Sequence, residues 1–247
     1  MATRGWAALA VTVVLGSAAP ARAATITIDA YSRGCIGQNG SFNCLSVPGP
    51  TQNYAAGQFD LSGTPFELRN FFIFDLAAVG GTIVSATLLL DMTKYTNAYD
   101  SADATETYTL FDYAGDPLAL PVAPSNVGRF TDLGTGVVFG SRDYSQADTG
   151  VGGNNLTTIV LNGDALLALN AARLGVGVFA VGGAITSLSG TGEQSIFGNT
   201  HLDGAVSRLQ VEYVPEPATL ALVGAGVLAA AARRRVQRRR RRVSGAR

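Results

Sequence analysis

Residues 84–92 alternate with a period of two, Val84, Ala86, Leu88, Leu90 and Met92 on one side and Ser85, Thr87 and Asp91 on the other. Successive side chains of a strand point to opposite faces, so this segment reads as a half-buried β-strand. Residues 208–214 repeat the pattern, with Leu209, Val211 and Tyr213 alternating with Arg208, Gln210 and Glu212. Residues 71–76 are apolar on both faces apart from Asp75, and 105–113 are rich in the Thr, Tyr and Phe that strands favour. Further strand candidates are 25–29, 137–139, 157–161 and 176–181. Only 164–173 reads as helix, introduced by Asn162-Gly163 and closed near Gly175. Gly-rich and Pro-rich gaps, among them 46–52 and 116–128, separate these segments. Eight or nine short strands with such turns predict an all-β fold, an antiparallel β-sandwich of jelly-roll type with one short helix. No internal repeat occurs, which argues against a propeller or solenoid.

The two ends of the chain do not belong to that pattern. At the start, Arg4 supplies a positive n-region, residues 6–15 an apolar stretch, and Ala21-Arg22-Ala23 a small-x-small cleavage site. Together they predict a secretory signal peptide over 1–23, cut before Ala24, with the Sec translocon and signal peptidase as partners. At the other end stands Val214-Pro215-Glu216-Pro217, followed by an uncharged run over 218–232 and an arginine block. As a helix that run is about 22 Å long, short of a hydrocarbon core of about 30 Å. Long arginine stems extend its reach by snorkelling, and Arg233, Arg234, Arg235, Arg238, Arg239, Arg240, Arg241 and Arg242 hold that end in the cytoplasm. The expectation is a C-terminal apolar helix anchoring an exported domain, residues 24–214, to the membrane. An ordinary anchor explains the run and the arginines, but not a rigid Pro-Glu-Pro where the chain meets the membrane.

The string Val-Pro-Glu-Pro-Ala-Thr-Leu-Ala-Leu, its Gly/Ala-rich continuation and its Arg run resemble the PEP-CTERM sorting signal, here 215–247. The resemblance implies a Gram-negative source and processing by an exosortase, an intramembrane transpeptidase. Pro215, Glu216 and Pro217 occupy the processing motif. It also implies a destination, the cell surface or its polysaccharide matrix, reached after a transient stay in the inner membrane. A second resemblance attaches to the core. Residues 69–76, 81–90, 106–112 and 207–213 are similar to the DNRLRE-type sandwich modules of exported bacterial proteins, some of them associated with polysaccharide binding, although the Asp-Asn-Arg-Leu-Arg-Glu signature is absent.

Formal neutrality of the whole chain hides a segregation of charge. All 18 acidic residues lie between Asp29 and Glu216, where only Arg33, Arg69, Lys94, Arg129, Arg142, Arg173 and Arg208 oppose them, leaving −11. Such a domain is a poor match for nucleic acid or anionic lipid, which need basic side chains to neutralise phosphate. It suits a cation or a basic partner. Asp100, Asp103 and Glu106, with Asn97 nearby, offer oxygen ligands in one loop, which reads either as solvated acidic surface or as a calcium site without the EF-hand pattern. Tyr95, Tyr99 and Tyr108 offer themselves as a platform for a sugar ring or as core.

Cys35 and Cys44 are the only cysteines, and in an oxidising compartment they read as a disulfide closing a short loop around Asn39-Gly40. They cannot supply four zinc ligands with the single distant His201. A Ser-His-Asp hydrolase would have to use that same histidine, and no G-x-S-x-G, H-E-x-x-H, P-loop or C-x-x-C occurs. Gly152-Gly153 and Gly182-Gly183 read as turns. The expected function is therefore that of a non-enzymatic surface or matrix protein of the envelope or biofilm. A carbohydrate-binding module for exopolysaccharide is the alternative, and a polysaccharide hydrolase or lyase the third.

Overall fold

The computed structural model describes residues 22–216 apart from 42–43, 45–48, 62, 94–97, 123–125, 151–154, 191 and 203. The compact unit runs from Ala23 to Pro215. Its strands are β1 (Ala24–Asp29), β2 (Ser32–Gly37), β3 (Ala56–Leu61), β4 (Thr64–Asp75), β5 (Gly81–Met92), β6 (Tyr99–Ser101), β7 (Glu106–Asp112), β8 (Val138–Tyr144), β9 (Asn155–Val160), β10 (Val178–Ile185), β11 (Gln194–Ile196) and β12 (Ser207–Pro215), with helices α1 (Val127–Asp132) and α2 (Gly163–Leu174). The smaller sheet has the order β1-β12-β5-β9, and the larger contains β4-β10-β7-β8. Every pairing is antiparallel. Taking β1, β4, β5, β7, β8, β9, β10 and β12 in turn, the chain changes sheet at every step except β7 to β8. That is jelly-roll topology, with eight strands wound across two sheets.

Four strands are additions that periodicity did not announce. Along one edge β4 pairs in succession with β3 and β10, along the other with β2, while β11 and β6 extend the sheet beyond β3. The apolar run Phe71-Phe72-Ile73-Phe74 then makes sense face by face. Phe72 and Phe74 point between the sheets with Leu88, Leu110, Leu209 and Val211. Phe71 and Ile73 point outward and are covered, together with Ile36 and Ala180, by Leu120, Phe130 and Leu133 from the β7–β8 connection. A strand buried on both faces loses its alternation because both sets of side chains gain by leaving water, roughly 1.5–3 kcal/mol for each large one. That covering segment contains α1, so the described residues hold two helices rather than one. Asn126 caps α1 by accepting from the Arg129 amide, and Asn162 caps α2 through Ala165.

Two readings need correction. Val84 does not join the inward row of β5. It has no cross-strand partner, since Glu212 pairs with Ser85 and Tyr213 with Ile83. The extra residue is a bulge, which leaves Val84 46% exposed and sends Ile83 into the core. Gly182-Gly183 is no turn but lies inside β10, where a Cβ on Gly182 would meet the Leu133 backbone at 2.6 Å and one on Gly183 would overlap the Tyr108 hydroxyl. The missing side chains are what let α1 approach one face and a core tyrosine the other. Tyr99 and Tyr108 are buried, and Tyr108 meets Tyr144 and Phe197 edge to face at centroid distances of 6.0 and 5.3 Å. They are core, the commoner role of tyrosines in a β protein; Tyr95 and Gly152-Gly153 lie outside the described residues.

Candidate functional site

Amide and hydroxyl groups hydrogen-bond the carboxylates of the acidic loop. Glu106 begins β7 fully buried, and its carboxylate accepts from Ser101 Oγ at 2.6 Å, from Gln194 Nε2 at 3.1 Å and from Ser187 Oγ. Gln194 Nε2 also donates to Asp103 at 2.7 Å, while its Oε1 accepts from the Ser189 amide and hydroxyl. Asp103 and Glu106 thus converge on one amide. Asp100 is exposed on β6 beside other acids, for its charge and that of Asp60 add to burial in pushing the Glu193 carboxyl up. Among the described residues no three carboxylate, cysteine or histidine side chains gather around a point where a metal ion would sit. Asn97 lies outside them. His201 is half-buried in a turn, its Nδ1 making no hydrogen bond among the described residues.

A more promising concavity lies on the connection that covers the larger sheet. Tyr113, Gly115, Asn126, Arg129, Asp132 and Thr135 line an open cleft of about 530 Å³. Tyr113 leaves β7 and lays its ring against the Gly115 backbone, leaving no room there for a Cβ. Its phenol is pushed up by partial burial and by Asp132 and Asp116, against which Arg129 acts. One Asp132 oxygen accepts from the Ala114 and Gly115 amides at 3.1 and 3.3 Å, and Arg129 reaches the Val122 carbonyl at 2.8 Å. These bonds fix both charged groups at the lining of the cleft. An aromatic ring flanked by a fixed cation, a fixed carboxylate and an amide is the mixture that holds a polyhydroxylated ring, stacking on one side and bonding on the edge. Nothing in the sequence pattern singled out Tyr113, because the convergence depends on a connection without periodicity.

Cys35 and Cys44 are joined in a disulfide, with Cα atoms 5.4 Å apart, and pack with Ala55 and Leu68. At the far end of the chain, β12 carries its pairing to the last residue before the acidic one. Val214 pairs with Thr82 and Pro215 with Gly81, where any Cβ would overlap the Val214 carbonyl. Pro215 is therefore part of the sheet, and Glu216 follows directly. Residues 214–235 match the family model of the PEP-CTERM protein-sorting motif. The chain carries a PEP-CTERM sorting motif. Such a motif implies an exported protein, anchored transiently in the membrane and processed by an exosortase. No curated protein matches the chain. Ala23 and Ala24 are described, Ala24 opening β1 opposite Tyr213. Ala21, Pro217, the apolar run and arginines Arg233, Arg234, Arg235, Arg238, Arg239 and Arg240 lie outside the described residues, among which no helix is long and apolar enough to cross a membrane.

Proposed function

We propose that this is a non-enzymatic component of the cell surface or extracellular matrix, delivered there by exosortase processing. The observation that carries the reading is the PEP-CTERM motif fused without a spacer to an acidic jelly roll. Residues 24–216, with a net charge of −11, repel anionic lipid and resist non-specific association with nucleic acid, properties that suit life outside the cell. Intact-mass and C-terminal peptide mass spectrometry of protein from the native host, with and without the exosortase, tests it. The expected result is a C-terminus near Pro215 only when the enzyme is present. An arginine tail retained in both strains sinks the reading and leaves a plain inner-membrane anchor.

The cleft favours a second reading, recognition of a matrix polysaccharide. Tyr113 supplies the stacking face and Arg129, Asp132 and Asn126 the polar edge. Saturable binding of residues 24–216 to host exopolysaccharide is expected, weakened about tenfold in Tyr113→Ala, the loss of one stacked aromatic contact. Absence of saturable binding on the host polymer and across a glycan array would end this reading without touching the first.

A further inference from the structure

Helix α2 has an unusual outer face for a protein rich in acidic residues. Leu167, Ala171 and Leu174 recur at helical spacing on its exposed side, and Leu167 and Leu174 are both 72% exposed. Val176, 66% exposed, continues the stripe. The helix runs beside β5 toward that strand's first residue. At its start the Leu161 amide donates to Ala86, further along Asn170 exchanges two 2.9 Å bonds with the Ile83 backbone, and beyond its end Gly177 accepts from the Leu76 amide. Ile83 is two residues from Gly81, the partner of Pro215. Leu174 and Val176 thus stand at the end of the sandwich from which the sorting motif departs. The neighbouring chain carries no charge from Leu76 through Leu90 or from Leu174 through Gly192, stretches bordered by Asp75 and Arg173, and the one carboxylate in line with the stripe is Asp164 at the far start of α2. Elsewhere the domain is strewn with carboxylates.

Only Glu216 and Pro217 separate Pro215 from the apolar run, and an extended chain advances at most about 3.6 Å per residue. Pro215 is then held within roughly 11 Å of the first residue of that run. We propose that, before processing, the apolar stripe of α2 lies against the lipid surface, seating the domain on the bilayer by the end from which the sorting motif departs. This rests on the membrane anchoring that the sorting motif implies, and adds which face of the domain meets the lipid. The contact is apolar and not electrostatic, since the domain's charge opposes anionic headgroups. It gives the domain a fixed orientation, with Pro215 presented at the membrane surface and the opposite end, around Leu202, turned outward.

The test uses the full chain reconstituted into phosphatidylethanolamine/phosphatidylglycerol vesicles containing brominated acyl chains. Trp6 is the only tryptophan. With Trp6→Phe as background, Leu174→Trp probes the stripe and Leu202→Trp the far end. Both sites are more than half exposed, so neither probe disturbs packing. The expected result is a blue-shifted, quenched emission for Leu174→Trp and an unshifted, unquenched one for Leu202→Trp. Adding Leu167→Glu and replacing Leu174→Trp by Leu174→Glu with the probe moved to Val176→Trp should abolish the quenching. Equal quenching of both probes, or of neither, in protein that floats with the vesicles overturns the inference and leaves the anchoring intact. Protein that fails to float overturns both. Shift of the Leu174→Trp emission only when exosortase is co-reconstituted assigns the stripe to the enzyme and overturns the lipid contact.

Discussion

Tyr108 and Tyr144 are held neutral by their surroundings. The Tyr108 hydroxyl donates to Asn70 Oδ1 at 2.6 Å, and Asn70 in turn donates to the Tyr54 carbonyl. Thr157 uses its hydroxyl proton on the Leu90 carbonyl, so Tyr144 is the donor in the 3.0 Å bond between the two side chains. Burial, before any other cause, pushes both phenols well above the ordinary value near 10. Their folded-state affinity for the proton exceeds that of the unfolded chain, so the native state holds more protons once pH passes about 10. The stability they contribute is complete below that pH and is lost as pH rises, by about 1.4 kcal/mol per pH unit for each residue. Urea midpoints of residues 24–216 measured from pH 8 to 11 should be flat at first and then fall. Tyr144→Phe should make the fall shallower. A profile that stays level to pH 11 would show that neither phenol is sealed. Arg33 shows the same economy with a permanent charge: it stacks 4.6 Å from the Tyr54 ring centroid and donates to the Gln52 and Ala205 carbonyls.

At the scale of elements, two glycines predict opposite outcomes for one substitution. Gly183 sits mid-strand in β10, where an added methyl would overlap the Tyr108 hydroxyl and crowd Asn70 Oδ1. Gly183→Ala overpacks the core and dislocates a buried hydrogen bond, a loss of about 3 kcal/mol or more. Gly163 opens α2 with open space where its Cβ would stand. Gly163→Ala should be stabilising by about 0.4–1 kcal/mol, through the reduced freedom of the unfolded chain. Paired denaturation curves of the two variants test both signs at once. The same contrast explains what periodicity revealed and what it hid. Strands with one wet face, such as β5, β9 and β12, alternate and were legible. β2, with the sequence Ser-Arg-Gly-Cys-Ile-Gly, is buried at every position and carries two glycines, so it has no face to betray it. Helix α1 is six residues long and includes Gly128, Thr131 and a β-branched start, too short to repeat a 3.6-residue pattern. The bulge at Val84 is set by β12 across the sheet, not by neighbours in sequence.

For the whole molecule, the ends are where sequence and fold speak to each other. The sorting motif and the Cys35–Cys44 pair were readable because composition or chemistry alone marks them. The Tyr113 cleft was not, since its members meet only after the connection folds over the larger sheet. Asp100 and Glu106, near in sequence, likewise stand on different strands, one exposed and one buried. Fusion of motif and fold at Pro215 carries a further consequence. β12 is an interior strand, flanked by β1 and β5, and contributes Leu209 and Val211 to the core between the sheets. A chain cut after Glu216 retains every one of those contacts. A chain cut after Gln210 loses Val211, half the pairing to β1 and the closure over Gly81–Ile83. Removal of the buried Val211 side chain alone costs about 1.5–3 kcal/mol, and the exposed β1 and β5 edges add to it, against a total stability of only about 5–15 kcal/mol for a domain. Residues 24–216 should therefore melt in a single cooperative transition, while 24–210 should show none and aggregate through its opened edges. Calorimetry of the two fragments checks this, and a cooperative transition in the shorter one would mean that β12 is dispensable. The processed protein would then owe its fold to the larger sheet alone, and holding Pro215 in the ladder would have no structural purpose.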